Sequence, residues 1–149
     1  MMIQCSNERT LFITGRDGIG AEIDSSLTPY VVMLTAWNSA SVSEVLQGDL
    51  VRDLLLKGAR NFVCLGSFSE QLHDEIDELI YQFDDEHGSE LATDVLTTYH
   101  SDESIEDGVN YYVCTTHFKD KERSYLLAIL NENSSEDREI RSFLEEYQS

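Results

Sequence analysis

Runs of consecutive apolar residues, each of strand length and each separated from the next by a helix-length amphipathic stretch, constrain this chain most. Tyr30-Val31-Val32-Met33-Leu34-Thr35 is one run, Phe62-Val63-Cys64-Leu65 within the strand Asn61 to Leu65 a second, the shorter Val95-Leu96 within the parallel-type strand Asp94 to Tyr99 a third, and Ser124 to Leu130 holds a fourth. A strand that is apolar at successive positions must bury both faces, as in a parallel sheet covered by helices. The intervals carry the helical period. Val45, Leu46, Leu50 and Leu54 line one face of a segment that Ser41 or Ser43 can cap and that runs to about Lys57, where Gly58 ends it. Gly48 lies inside this segment and lowers its helix propensity.

The next interval gives the clearest helix. Ser67 and Glu70 have capping-box spacing, Leu72, Ile76, Leu79, Ile80 and Phe83 recur at the helical period, and Gly88 marks the end. After the third strand, Ser101 is the expected cap of a helix from about Asp102 to Cys114. Asp102 and Glu103 then stand favourably against its dipole. Tyr111 to Phe118 is rich in strand formers and Gly108 offers an early stop, so a strand competes with the end of this helix. Lys119 to Arg123 reads as a basic turn. Ser134 or Ser135 caps a final helix with Ile140, Phe143, Leu144 and Tyr147 inward.

At the start, Thr10 to Thr14 reads as a strand, and Asp17-Gly18 is a favoured hairpin turn. Ile19, Ala21 and Ile23 alternate with Gly20 and Glu22, as a returning, half-exposed strand would. The same glycines, in the order G-x-x-G-x-G, reverse the dinucleotide fingerprint and no helical pattern follows them, so a phosphate loop is the weaker reading. Ser25 to Pro29 is a loop holding the only proline. Strands alternating with helices predict a single three-layer α/β sandwich. Its sheet is mostly parallel, Rossmann-like or flavodoxin-like, with the N-terminal hairpin at one edge.

Charge narrows the function. There are 29 acidic against 10 basic residues, a formal net charge of -19. From Asn61 to Phe118 the chain carries fourteen Asp and Glu and no Lys or Arg. Such a surface disfavours direct contact with nucleic acid or anionic membrane, and favours a basic partner, a cation or plain solubility. No apolar run approaches a membrane span and the first residues lack a signal-peptide pattern, which reads as cytoplasmic. Three widely spaced cysteines make no disulfide framework and are expected to be reduced.

Candidate chemistry gathers at the carboxyl ends of the second and third runs, where ligands bind in such sheets. Cys64 and His100 approach this edge, with His73 two turns into the following helix and Asp102 close by. A Cys/His/carboxylate cluster there would suit a thiol nucleophile or metal site, making His100, Cys64 and Asp102 the residues of a small hydrolase or metal-dependent enzyme. Against it, Cys64 lies in an apolar run typical of an inert buried thiol. His100 can serve structurally, and no G-x-S-x-G elbow, P-loop or H-E-x-x-H is present. Cys114 and His117 have C-x-x-H spacing but supply two ligands of four. The carboxylates of Glu70, Asp74, Asp77 and Glu78 do not match an EF-hand loop. No cofactor or metal is therefore expected.

The segment Leu96-Thr97-Thr98-Tyr99-His100-Ser101-Asp102-Glu103-Ser104 resembles a motif of a poorly characterised group of small bacterial α/β domains, in which a Thr-Thr-aromatic-His strand end leads into an acidic helix start. The resemblance spans Asn61 to Val113, implies the strand–helix order and a bacterial source, and brings no activity. The function expected from the residues is that of an acidic inhibitor that neutralises a basic protein. Its most concrete form is a bacterial immunity protein against a nuclease-type toxin. A DNA mimic, possible in a phage setting, is the related alternative. The contact would fall on Glu70, Asp74, Asp77, Glu78, Asp102, Glu103, Glu106 and Asp107, with Tyr81 or Tyr111 as anchors.

Overall fold

The computed structural model of the protein describes residues 1–18, 29–116 and 125–149. Its strands are β1 (Met2–Gln4), β2 (Thr10–Thr14), β3 (Tyr30–Thr35), β4 (Ala59–Leu65), β5 (Leu96–His100) and β6 (Tyr125–Ile129). The α-helices among the described residues are α1 (Ser39–Val45), α2 (Leu50–Leu56), α3 (Ser69–His87), α4 (Ile105–Asn110) and α5 (Ser135–Glu145). The strands form one six-stranded sheet in the order β1-β2-β6-β3-β4-β5. Among the described strands only β1 runs antiparallel to its neighbour. The fold is thus mixed α/β with a mostly parallel sheet, as the apolar runs require.

Alternation along the strands sorts the core onto two faces. Tyr30, Val32, Leu34, Phe62, Cys64, Leu127 and Ile129 point to one side, where they pack against Leu54 and Leu55 of α2 and Leu72, Ile76 and Ile80 of α3. Val31, Met33, Val63, Leu65, Leu126 and Ala128 point to the other, against Val109 of α4 and Ile140 and Leu144 of α5. Each fully buried Leu or Ile on these faces contributes about 2 kcal/mol relative to exposure. This double burial explains why β3 is apolar from Val31 to Leu34. In chain order the parallel strands lie with the last, β6, inserted between the first two, β2 and β3. That order belongs to neither of the common doubly wound arrangements, Rossmann or flavodoxin.

Four local expectations change. The edge hairpin is formed by β1 and β2, with Ile3 opposite Leu11. On its two edges β2 pairs with β1 and with β6. Residues Ile19, Ala21 and Ile23 themselves, with the rest of the Ser25 loop before Pro29, lie outside the described residues, as do His117, Phe118 and the Lys119 to Arg123 turn. Arg16–Gly18 forms a short 3-10 turn. Second, the helix expected to run to Lys57 is broken. Asn38, not Ser41 or Ser43, caps α1, its Oδ1 accepting from the Ser41 amide at 2.9 Å. Gly48 takes φ +74°, a left-handed conformation that ends one helix and lets the next begin at Leu50.

Third, Ser67 does not cap α3. Its hydroxyl donates to the Trp37 carbonyl at 2.9 Å, and Phe68 occupies the cap position without a side-chain bond. The turn before it is set by Gly66, at φ +112°, whose backbone lies so close to the Ala36 carbonyl that a Cβ would collide with it. At the far end Gly88 closes α3 in the left-handed conformation, as expected. The helical period puts Asp84 on the outer acidic face of α3 with Asp74 and Asp77, but in the structure it is half-buried and serves the helix end. Its carboxylate accepts from the Ser89 hydroxyl at 2.6 Å and from the Leu91 and Ala92 amides at 2.9 and 2.8 Å, which fixes the turn into β5.

Fourth, the cap of α4 is Ser104, which accepts from the Asp107 amide at 3.1 Å, rather than Ser101. The helix continues as a π turn over Tyr111–Thr115, so the contested stretch through Cys114 is helical. Tertiary contacts decide this. Tyr112 and Val113 are buried against the sheet, and the buried Arg9 guanidinium donates to the Val113 carbonyl at 2.8 Å and the Thr116 hydroxyl at 3.0 Å. Gly108 is tolerated because a Cβ there would come within 2.7 Å of Leu65 Cδ2: the helix lies directly on β4.

Candidate functional site

The five parallel strands β2, β6, β3, β4 and β5 end at one edge, but the pleat does not bring the expected cluster together there. Cys64 is paired with Tyr99 and Leu65 with His100. Cys64 therefore faces α3 while His100 faces α4, on the opposite side of the sheet. Burial pushes the Cys64 thiol well above its ordinary pKa, leaving it a protonated core residue. The His100 side chain is only 8% exposed, and both ring nitrogens are engaged: Nδ1 with Glu103 Oε2 and Nε2 with the Thr98 hydroxyl, each at 3.1 Å. Its ring lies 4.4 Å from that of Tyr111. Asp102 is exposed in the turn before α4. His73, across the sheet, packs edge-on against Tyr99 and pairs with Asp74 at 2.9 Å and Asp77 at 3.6 Å. Among the described residues no three His, Cys, Asp or Glu side chains stand together as metal ligands.

The expected contact residues fall into two groups. Glu70, Asp74 and Glu78 are exposed on the outer face of α3, opposite its buried Leu72, Ile76, Ile80 and Phe83, and Asp77 is half-buried beside them. Tyr81 continues this face and is 60% exposed. It borders the outer edge of β5, which no described strand covers and where Leu96 and Tyr99 are 53% and 43% exposed. Between α3 and β5 a notch of about 230 Å³ is lined by Asp77, Tyr81, Leu96 and Thr97. The Thr97 hydroxyl is buried there without a hydrogen-bond partner among the described residues. Asp102, Glu103, Glu106 and Asp107 are exposed around the start of α4, and Glu106 and Asp107 form its first turn. That helix covers the other face of the sheet, so the two acidic groups share the carboxyl edge without sharing a face. Tyr111 is half-buried on His100 and is no free anchor.

A third region was not singled out from sequence. The connection after β3 passes to the face of α1 and α2, whereas that after β6 passes to the face of α5. Since β3 and β6 are neighbours, their ends diverge and open a crevice, the position at which open α/β sheets hold ligands. A cleft of about 740 Å³ lies there, walled by the ends of β2, β3 and β6, by α1 and by the first turn of α5. At its base the buried Asp137 accepts from Thr35 Oγ1 at 3.0 Å, Trp37 Nε1 at 2.8 Å and the Asn131 amide at 2.7 Å. One carboxylate thus ties the ends of two strands to α5. Ser134 caps that helix by accepting from the Asp137 amide at 3.2 Å, and Glu136 accepts from the Ser134 and Ser135 hydroxyls at 3.1 and 3.2 Å. The amide of Glu136 itself, with those hydroxyls, holds its carboxyl below the usual range. On the opposite wall Arg16 donates to the Glu44 carbonyl at 2.6 Å, so the β2 end reaches across to the end of α1. A sequence signal existed in the Ser134 to Asp137 spacing, but Thr35 and Trp37 lie a hundred residues away and only the strand order brings them to it.

A family model described as Domain of unknown function (DUF7684) matches residues 18–147. No curated protein and no solved structure matches the chain. No helix among the described residues is long and apolar enough to cross a membrane.

Proposed function

For this chain, which belongs to the DUF7684 family, we propose the role of an acidic inhibitor that binds and neutralises a basic protein, most concretely a bacterial immunity protein acting on a nuclease-type toxin in the cytoplasm. The observation that carries this reading is the exposed acidic row of α3 running alongside exposed Tyr81, Leu96 and Tyr99 at the free edge of the sheet. An apolar centre with aromatic side chains and a charged rim is the common anatomy of a protein interface. A nuclease presents positive charge to phosphate, and an acidic surface gains steered association with it. Two of the three cysteines are buried and none is bridged, which suits a reducing compartment. The helices against both sheet faces support a three-layer reading of the fold. The catalytic alternative built on His100, Cys64 and Asp102 has little support, because the pleat keeps Cys64 and His100 apart.

The experiment uses the triple variant Asp74→Lys/Asp77→Lys/Glu78→Lys. A basic protein recovered from a bacterial lysate on the immobilised chain is purified, and its association rate is measured against ionic strength. The rate for the wild type should fall steeply with salt, and the variant should bind at least about a hundredfold more weakly while folding normally. A partner whose association ignores salt, or which the variant still holds at wild-type affinity, refutes the assignment. A partner that recognises any nucleic acid and competes with DNA of any sequence would instead mark a DNA mimic.

A further inference from the structure

We propose that the cleft at the carboxyl ends of β2, β6 and β3 is a second, independent site, and that it binds a small organic cation bearing an ammonium or guanidinium group. Its position is the one at which diverging connections leave a crevice in a parallel sheet, and about 740 Å³ is room for a small molecule. The chemistry of the walls selects among ligands. Five acidic residues, Asp17, Glu44, Glu132, Glu136 and Asp137, line the cleft with one basic residue, Arg16; of the five, Glu132 is balanced by Arg141 at 3.4 Å, which leaves four against one.

An anion is disfavoured on two counts. The net charge of the walls repels it. The α5 N-terminus, which would otherwise attract it, is already met by the Ser134 hydroxyl at the Asp137 amide and by the Glu136 carboxylate. A bare metal ion lacks its ligands, because no three carboxylates or imidazoles among the described residues stand close enough to share one. An extended organic cation needs only separated carboxylates and hydrogen-bond acceptors along a cleft. Asp17 and Glu44 are exposed, and neither side chain has a hydrogen-bond or ion-pair partner among the described residues. The indole of Trp37 also lines the wall, an aromatic surface of the kind that attracts cations. Asp137 keeps that ring in place through its 2.8 Å bond to Nε1.

Trp37 is the only tryptophan in the chain and lines this cleft, so its emission reports on binding there. Spermidine and agmatine are titrated into the full chain at physiological salt, with sodium chloride at matched ionic strength, inorganic phosphate and ribose as controls. Both amines should give a saturable, one-to-one change in emission. The exposed-residue variant Asp17→Asn/Glu44→Gln should bind them about tenfold more weakly. The triple lysine variant of α3 should bind them as the wild type does, so this site and the protein interface succeed or fail separately. The proposal is overturned if neither amine changes the emission, or if sodium chloride reproduces the change. It is overturned equally if phosphate or ribose alone produces it, if Asp17→Asn/Glu44→Gln leaves affinity intact, or if the α3 variant abolishes the response.

Discussion

Replacing Asp137 by Ala should be among the most damaging single changes in the protein. The carboxylate is 2% exposed and accepts three hydrogen bonds, from the Thr35 hydroxyl, the Trp37 indole and the Asn131 amide, at 2.7–3.0 Å. Truncation removes all three acceptors at once. A buried donor left unmade costs roughly 1–3 kcal/mol. The hole opens toward the cleft, so water can reach part of it and the full sum is not expected. The loss of a first-turn carboxylate on α5 adds about 0.5 kcal/mol. Together these predict a destabilisation of about 3–4 kcal/mol, or roughly 10 °C in Tm for a domain of this size. Asp137→Asn keeps the volume and one acceptor oxygen but turns an NH2 group toward a donor, so it should cost about half as much. Urea unfolding followed by circular dichroism measures both, and Trp37 emission should shift to the red in the Ala variant as the indole loses its anchor. An Ala variant within about 1 kcal/mol of wild type, or one less harmful than Asn, would refute the view of Asp137 as the tie between β3, β6 and α5.

Other outcomes follow from single features. Gly66→Ala combines a left-handed φ of +112° with a Cβ driven into the Ala36 carbonyl. It should cost about 3 kcal/mol or more, read as a fall in the urea midpoint at unchanged m-value. The Asp84 carboxyl is held below its ordinary pKa, chiefly by the Ser89 hydroxyl and then by the Ala92 and Leu91 amides. A lowered folded-state pKa contributes stability that is present above the unfolded value and disappears as pH falls through the folded one. Asp84→Asn should therefore flatten the acid limb of stability against pH, and a wild-type slope in that variant would contradict it. Cys114 is exposed whereas Cys5 and Cys64 are buried, and burial raises both of their thiol pKa values. Ellman's reagent should titrate one thiol per native chain and three after unfolding.

The strands β3, β4 and β6 and the helices α3 and α5 were legible from periodicity alone, because burying a run such as Tyr30 to Thr35 on both faces demands a covered parallel sheet; β5 was placed correctly along the chain, but it is an edge strand that leaves Leu96 and Tyr99 exposed. Helix α3 was legible because its apolar residues repeat at the helical period and Gly88 can close it. What lay beyond the sequence depended on which residues meet across distance. Gly48 could be an interruption or a tolerated helical glycine, and its left-handed φ settled the matter. Tyr111 to Cys114 had strand-like composition, and packing of Tyr112 and Val113 against the sheet made it helical. Cys64 and His100 seemed to share an edge in the linear reading, yet a one-residue difference in register sends them to opposite faces. Strand order has no signature in local composition at all. The insertion of β6 between β2 and β3 is a long-range pairing, and it alone sets Thr35, Trp37 and Asp137 around one carboxylate and opens the cleft above them. Local pattern determines what each segment becomes. Only tertiary pairing decides which strand ends are neighbours, and a site built between neighbouring strand ends is decided with it.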